Sequence, residues 1–284
     1  MPKIQTMLDN LLKRNERILR PALTLWFDFT QKQIRCDLTE KYQKSVISEL
    51  TDWELIESQG ETIIKPVVLE IMQTSGNAAY QYLAIEGSFD VINVRAVKAV
   101  NKFVAKLVTD VTAETKKGIK TYIKHGIKEG WSMSKIAREL RPLVGLTAKQ
   151  TQAIINYRTK LQVTRPELSV AQVNRAVTKY TNKTHRLRME NIATTETARA
   201  QNIGYVQGLE QVGIKESEFS VSAADFCEEC EALDGTKFPV SEAAGIIPVH
   251  PRCHCAMLPV INDKVISEQL KKPPKRLSKA KGVS

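Results

Sequence analysis

Four of the five cysteines and two of the four histidines of this 284-residue chain fall in one stretch, CEECEALDGTKFPVSEAAGIIPVHPRCHC, which runs from Cys227 to Cys255. Cys227 and Cys230 are separated by two residues, as are His250 and Cys253, with His254 and Cys255 directly behind. Two intervening residues let a tight turn aim both side chains at one ion, and tetrahedral Zn²⁺ takes four such thiolate or imidazole groups. The favoured quartet is Cys227, Cys230, His250 and Cys253, with Cys255 as rival for the last place. Between the pairs, Asp234-Gly235 reads as a hairpin turn and Pro248 and Pro251 as rigid bends. Reduced thiols buried as small apolar groups are the bland alternative. Two disulfides are another, and they need an oxidising compartment. A structural ion fits better than a catalytic one. No histidine is followed by the x-Glu that zinc deaminases place before P-C-x-x-C, and there is no H-E-x-x-H.

A metal-stapled segment this short needs strands to hold it and a body to rest on. From Glu216 the apolar period shortens toward two, and EFSVSAAD, TKFPV and CAMLPVI read as three short strands around the cysteine loops. Upstream the period is helical. Residues 3–20 place Ile4, Met7, Leu8, Leu11, Leu12, Ile18 and Leu19 near helical spacing, and Pro21 marks a break or the first turn of a new helix. Residues 51–87, punctuated by Gly60 and Gly76, read as a helical hairpin. Thr112 or Asp110 can cap a helix that Gly126 and Gly130 close. Ser132 caps the next, with Met133, Ile136, Ala137 and Leu140 as its apolar face. Thr147-x2-Gln150 and Ser169-x2-Gln172 fit capping boxes, the second opening a helix that runs to a stop at Gly213. The fold class expected is α+β: a mainly α-helical body with a small C-terminal antiparallel β module, stapled by zinc. The divisions expected are residues 1–87, an N-terminal helical region; 88–213, a basic helical domain; 214–262, the Cys/His β module; and 263–284, a basic disordered tail.

Charge separates these regions. The chain carries a net +11. Residues 101–188 hold 19 basic against 5 acidic groups, residues 189–260 hold 4 against 11, and residues 261–284 hold 7 against 2. A positive excess gathered in one helical segment and the tail is the footprint of a polyanion partner. Its bland reading is a solvated Lys-rich surface. At 100° per residue, Lys117, Lys120, Lys124 and Lys128 share a helix face better than Lys116 does. Arg175, Lys179, Lys183 and Arg186 form a second row. Aromatic residues are sparse near both, which favours non-specific contact with duplex phosphates over stacking on single strands. No apolar run is long enough to span a bilayer. The opening MPKIQTMLDNLLKRNERILR is amphipathic and carries acids, unlike a signal peptide, so a cytoplasm where thiols stay reduced is the expected place of synthesis.

The run C-x2-C-x2-L-D-G, then P-x-H-P-x-C-x-C, then Pro-Val, resembles the C-terminal signature of phage head-morphogenesis proteins, the phage Mu F-like minor capsid proteins. It is carried by Cys227, Cys230, Leu233, Asp234, Gly235, Pro248, His250, Pro251, Cys253, Cys255, Pro259 and Val260. The family's usual Arg between the last two cysteines is His254 here. IATTETARAQNIG resembles the helix preceding that signature, with Thr194 where Arg is usual. The resemblance implies a virion protein of the capsid interior, assembled in the host cytoplasm. It would work with the portal protein and with the major capsid or scaffold protein. On that reading it is a structural and assembly protein, not an enzyme. The alternative from another class is a zinc-containing nuclease or other DNA-modifying enzyme. That needs a general base and usually a carboxylate-bound metal. Asp225, Glu228, Glu229 and Asp234 supply no such partner pattern, and no triad, P-loop or G-x-G-x-x-G is present.

Overall fold

The computed structural model describes residues 2–33, 51–92, 94–222 and 227–261. Helix α1 spans Pro2–Gln33, α2 Trp53–Tyr82, α3 Val94–Lys128 and α4 Met133–Leu140. A 3₁₀ turn over Arg141–Leu143 leads to α5, Ala148–Thr164, and α6, Val170–Gln211. Strand β1 (Glu216–Ser220), the short helix α7 (Glu228–Glu231), β2 (Lys237–Pro239), the short helix α8 (Val240–Ala243) and β3 (Ala256–Pro259) complete the order. The mainly helical body with a small C-terminal antiparallel sheet is therefore what the chain forms. Among the described residues no helix is long and apolar enough to cross a membrane.

Local chemistry sets several boundaries as the sequence predicts. The Ser132 side chain accepts from Lys135 N at the start of α4. Thr147 and Gln150 form a full capping box on α5. Ser169 N donates to Gln172 Oε1 and Gln172 N donates to Ser169 Oγ, the same reciprocal pair, at the start of α6. Gly213 takes φ +86 beyond the end of α6, a conformation glycine adopts without a Cβ penalty.

Other punctuation reads differently in three dimensions. Helix α2 is continuous, so Gly60 and Gly76 do not divide a hairpin. A Cβ at Gly60 would stand 2.6 Å from the Trp26 ring, and one at Gly76 would overlap the Phe89 ring. These glycines admit aromatic neighbours; they do not turn the chain. Pro21 and Pro66 lie inside α1 and α2. Asp110 and Thr112 cap nothing, because both lie within α3, with Thr112 buried. Gly126 is also inside α3, where a Cβ would meet Ile136 at 2.6 Å, and it is Gly130, at φ +65, that ends the run. Cys36 and the tail beyond residue 261 lie outside the described residues.

The chain divides into two compact units, each assembled from separated segments. Unit 1 draws on Met1–Asn15, Leu69–Ala99 and Thr197–Ser284, and unit 2 on Glu16–Val68 and Val100–Glu196. In unit 1, Gly204 and Gly208 of α6 face the backbone of Met72 and Gly76 in α2 so closely that no side chain fits between. Asn15 Nδ2 donates to Gln201 Oε1 (3.2 Å), and Gln201 Nε2 donates to the Leu8 carbonyl (2.9 Å), so α1 is held to α6 by satisfied buried amides. The sheet completes this unit in the order β2-β1-β3, all antiparallel. In unit 2, Ile119, Leu140, Val144, Leu146, Ile154 and Val177 belong to one core formed by α3, α4, the 3₁₀ turn, α5 and α6.

Candidate metal centre

Two knuckles bring the cysteines together within unit 1. The first leaves β1 and re-enters the sheet at β2. Cys227 caps α7, and Cys230 N donates to its sulfur at 3.4 Å. Asp234 and Gly235 do turn the chain, with Gly235 at φ +73, but they join α7 to β2 rather than linking two successive strands as a hairpin. The turn is fixed by Val221 N donating to Asp234 Oδ1 (2.9 Å), Gly235 N to the Phe219 carbonyl (2.9 Å) and Phe219 N to the Thr236 carbonyl (2.9 Å). The fully buried Phe219 ring pins the knuckle's base. The second knuckle precedes β3. Cys253 N donates to the His250 carbonyl (3.2 Å), and Arg252 supplies the left-handed residue of that turn at φ +63. Helix α6 steadies the intervening strap, since Asn202 Nδ2 donates to the carbonyls of Ala243 (3.1 Å) and Ala244 (3.2 Å).

The result is two overlapping triads that share Cys230. Ligand atoms of Cys227, Cys230 and His250 lie within 4.8 Å of one another, as do those of Cys230, Cys253 and Cys255. Cys230 and Cys253 are fully buried, and their sulfurs are 3.9 Å apart. Two thiolates bound tetrahedrally at about 2.3 Å from one ion would stand about 3.8 Å apart. All four cysteines are free thiols, so the disulfide reading does not hold for them. His250 adds a second sign of fit. Its Nδ1 lies 2.9 Å from the Pro251 carbonyl, and its Nε2 is buried with no hydrogen-bond partner. An Nδ1–H donated to a backbone carbonyl leaves Nε2 as a bare lone pair, the tautomer that ligates metals.

Electrostatics in the thiol cluster point the same way. The Cys255 thiol, with the backbone N–H groups of Cys255 and Val249, holds the Cys253 thiol down to about 5 against the opposing effect of burial. Cys230 is pushed up, first by burial and then by its sulfur neighbours. Cys255 is pushed up by donating to Cys253 and by burial. Burial and mutual contact thus set these three crowded thiols against one another. A divalent cation is what lets further thiols ionise there. The five ligand candidates taken from the sequence are therefore brought together and could hold a metal ion. Spacing alone did not reveal that Cys230 belongs to both triads, that His250 presents an orphan nitrogen, or that the cysteines join the apolar core of α1 and α6.

The predicted cationic rows lie in unit 2. Lys117, Lys120, Lys124 and Lys128 are all exposed on α3, and Arg175, Lys179, Lys183 and Arg186 are all exposed on α6. Arg186 lies 4.0 Å from Glu190. Lys116 does face elsewhere, its ammonium 4.8 Å from the Trp53 ring and 3.7 Å from Glu57. Arg188, one more cation of the same stretch, turns inward. Its guanidinium donates to the Gly145 carbonyl (2.6 Å) and to Glu114 (2.6 Å), bracing the turn before α5. Leu187, an apolar residue of the same helix, is 41 % exposed.

No curated protein and no solved structure matches the chain. The family model described as Phage Mu protein F like protein matches residues 117–258, half of the chain, and so takes in both knuckles and all eight positions of the cationic rows. The chain belongs to the Phage Mu protein F-like family, a family of phage head-morphogenesis proteins.

Proposed function

We propose that this chain is a structural minor head protein of a tailed phage, working without catalysis in the capsid interior after assembly in the host cytoplasm. It joins the portal protein and the major capsid or scaffold protein, and it meets packaged double-stranded DNA through its cationic rows without reading sequence. One Zn²⁺ is held by Cys227, Cys230 and His250 with Cys253, or with Cys255 in its place. The ion replaces a hydrophobic core that a three-stranded module cannot build alone. Thiolate and imidazole donors suit zinc, and family membership supports the setting in the head.

The observation that carries the DNA contact is the pair of solvent-facing rows on α3 and α6, eight exposed cations in a segment with a large positive excess. Phosphate neutralisation releases counterions, so affinity falls steeply with salt and depends little on sequence. The test is a salt titration of duplex binding by the wild type and by a Lys120/Lys124/Lys128→Glu variant. The wild type is expected to show a steep slope, and the variant a slope shallower by about 3 with much weaker binding at about 50 mM salt. Equal binding by the two proteins, or no slope, rejects the reading in favour of an acidic protein partner. Copurification with portal-containing heads tests the assembly role.

A further inference from the structure

Unit 2 contains a cleft of about 280 Å³ that neither the metal centre nor the cationic rows use. Its walls come from the end of α3, from α4 and its following turn, and from α5 and α6. Three aromatic rings converge on it. His125 and Trp131 meet edge to face at 5.2 Å, and Tyr122 stands 6.0 Å from Trp131 and 6.4 Å from His125. Opposite them runs a fixed polar chain. Arg158 pairs with Glu139 at 2.8 Å and donates to Asn174 Oδ1 at 2.9 Å, while the Tyr122 hydroxyl donates to Glu139 at 3.1 Å. Burial, and then the Glu139 carboxylate, raise the Tyr122 phenol, so it stays a donor. Glu139 is therefore engaged from two sides and Arg158 on two, and neither is a loose charge.

What is left for a ligand is positive at the mouth and flat within. Arg138 lines the cleft and is exposed. Lys135 sits with its ammonium 4.0 Å over the Trp131 ring just outside. Thr178 and Asn174 offer hydroxyl and amide groups from α6. A ligand that answers all of this has a planar ring to lie against the aromatic cluster, edge atoms able to hydrogen-bond, and one anionic group for the mouth. A half-open aromatic and cationic site of this kind suits bases, since every base has a π-face. The volume is that of about nine waters at ~30 Å³ each, enough for one base with part of its sugar and too small for two.

We infer that this cleft binds a single nucleoside monophosphate unit, its base against the cluster of Trp131, Tyr122 and His125 and its phosphate at Arg138. The unit comes either from a free mononucleotide or from an unpaired nucleotide of a strand. The inference rests on the reading that unit 2 faces nucleic acid only for the second source.

The full chain, loaded with zinc, is titrated with dTMP, thymidine, inorganic phosphate and a short acidic peptide ending in a free carboxylate, followed by calorimetry. Single-stranded and duplex oligomers are measured in parallel. One dTMP is expected per chain, bound at least about tenfold more tightly than thymidine or phosphate. Thr178→Trp, which plugs the cleft from its exposed rim, and Arg138→Ala, at an exposed position, are each expected to weaken dTMP by about tenfold or more while duplex affinity moves less than about twofold. Preference for the single strand over free dTMP assigns the strand as source; the reverse assigns the free nucleotide. The inference is overturned if dTMP shows no saturable binding up to about 5 mM, if phosphate alone or the acidic peptide binds as tightly, or if both variants, with wild-type unfolding curves, bind dTMP unchanged. The Lys120/Lys124/Lys128→Glu variant keeps the two readings apart. Duplex binding lost with dTMP retained is expected of the cleft, and duplex binding insensitive to that change rejects only the contact proposed for the rows.

Discussion

The candidate metal centre of unit 1 and the cationic rows of unit 2 are built in opposite ways. At the centre, five side chains on two knuckles are fixed by backbone hydrogen bonds, and one sulfur, Cys230, takes part in both triads. Cys230 has no stand-in there, and one place alone is contested, between Cys253 and Cys255. Along α3 and α6 the charges are exposed, spaced along two helices, and individually replaceable. A coordination site stores its free energy in a few exact positions. A polyelectrolyte surface stores it in a sum. The two regions should therefore respond to mutation on different scales, and the following experiments press on that difference from the largest effect downward.

Cys230→Ser removes the atom common to both triads. Structural zinc sites contribute on the order of 10 kcal/mol to the folding of small metal-dependent modules, so this variant should lose metal outright. Elemental analysis should give about one zinc per wild-type chain and less than about a tenth of that in the variant. Hydrogen exchange should rise across 216–222 and 227–261. Because Cys230, Cys253 and Cys255 share one apolar core with Ile4, Leu8, Tyr205 and Leu209, the loss should reach the parts of α1 and α6 in unit 1. Protection in α4 and α5 should be retained. Freshly reduced wild-type protein without zinc would sink the coordination reading.

Gly204→Ala tests the platform beneath the module without touching a sulfur. The new Cβ would collide with the Met72 carbonyl, a backbone atom that cannot rotate away. Overpacking of this kind costs about 1–3 kcal/mol, so the urea midpoint should fall while zinc content stays near the wild-type value. If zinc is lost in proportion to stability, the centre is less self-contained than its hydrogen bonds suggest. Against both of these, Lys124→Ala should be mild. One phosphate contact fewer lowers the salt slope by about 0.9 and weakens duplex binding only a few-fold, with the unfolding curve unchanged. A single lysine that abolished binding would show that the rows contain a specific site rather than a distributed one.

The two regions also differ in how far the sequence exposes them. Cap chemistry is local, and Ser132, Thr147 with Gln150, and Ser169 with Gln172 are all found where their spacing predicts. Cysteine spacing is nearly as informative, because a knuckle needs only two intervening residues. Glycine misleads, since a glycine that turns the chain and one that admits a ring look alike until the ring is placed; Gly60 against Trp26 and Gly76 against Phe89 are cases of the second kind. Arg188 shows the same limit for charge. It lies in the basic stretch of α6, yet its partners Gly145 and Glu114 are 43 and 74 residues away. The cleft of unit 2 was equally hidden, for Tyr122, Glu139, Arg158 and Asn174 come from four different helices. The assembly of each unit from separated segments follows from such long-range contacts, and periodicity carries no trace of it.

The smallest effect concerns pH and belongs to unit 2 alone. His185 lies on α6 with Nε2 2.7 Å from the Pro142 carbonyl, next to the inward-turned Arg188. Burial is the first cause holding its imidazole below the ordinary histidine value; the bond to Pro142 works against this, and the Arg188 charge adds to it. The native state therefore binds fewer protons at this position than the unfolded chain does. Stability must rise with pH wherever that is so. The contribution of His185 is complete above the unfolded value of about 6.5, and it falls away as pH drops from there toward the lower native value. His185→Gln keeps a donor for the Pro142 carbonyl and cannot titrate. Urea unfolding at pH 7.5 and pH 5.5 should show the wild type losing more stability than this variant, with the difference read from unit 2 by exchange in α4 and α5. Acid also weakens metal binding, because ligands must be deprotonated. The comparison is therefore made in the Cys230→Ser background as well. There the His185 difference should persist unchanged if unit 2 carries it, and its disappearance would assign the acid response to the thiol cluster instead.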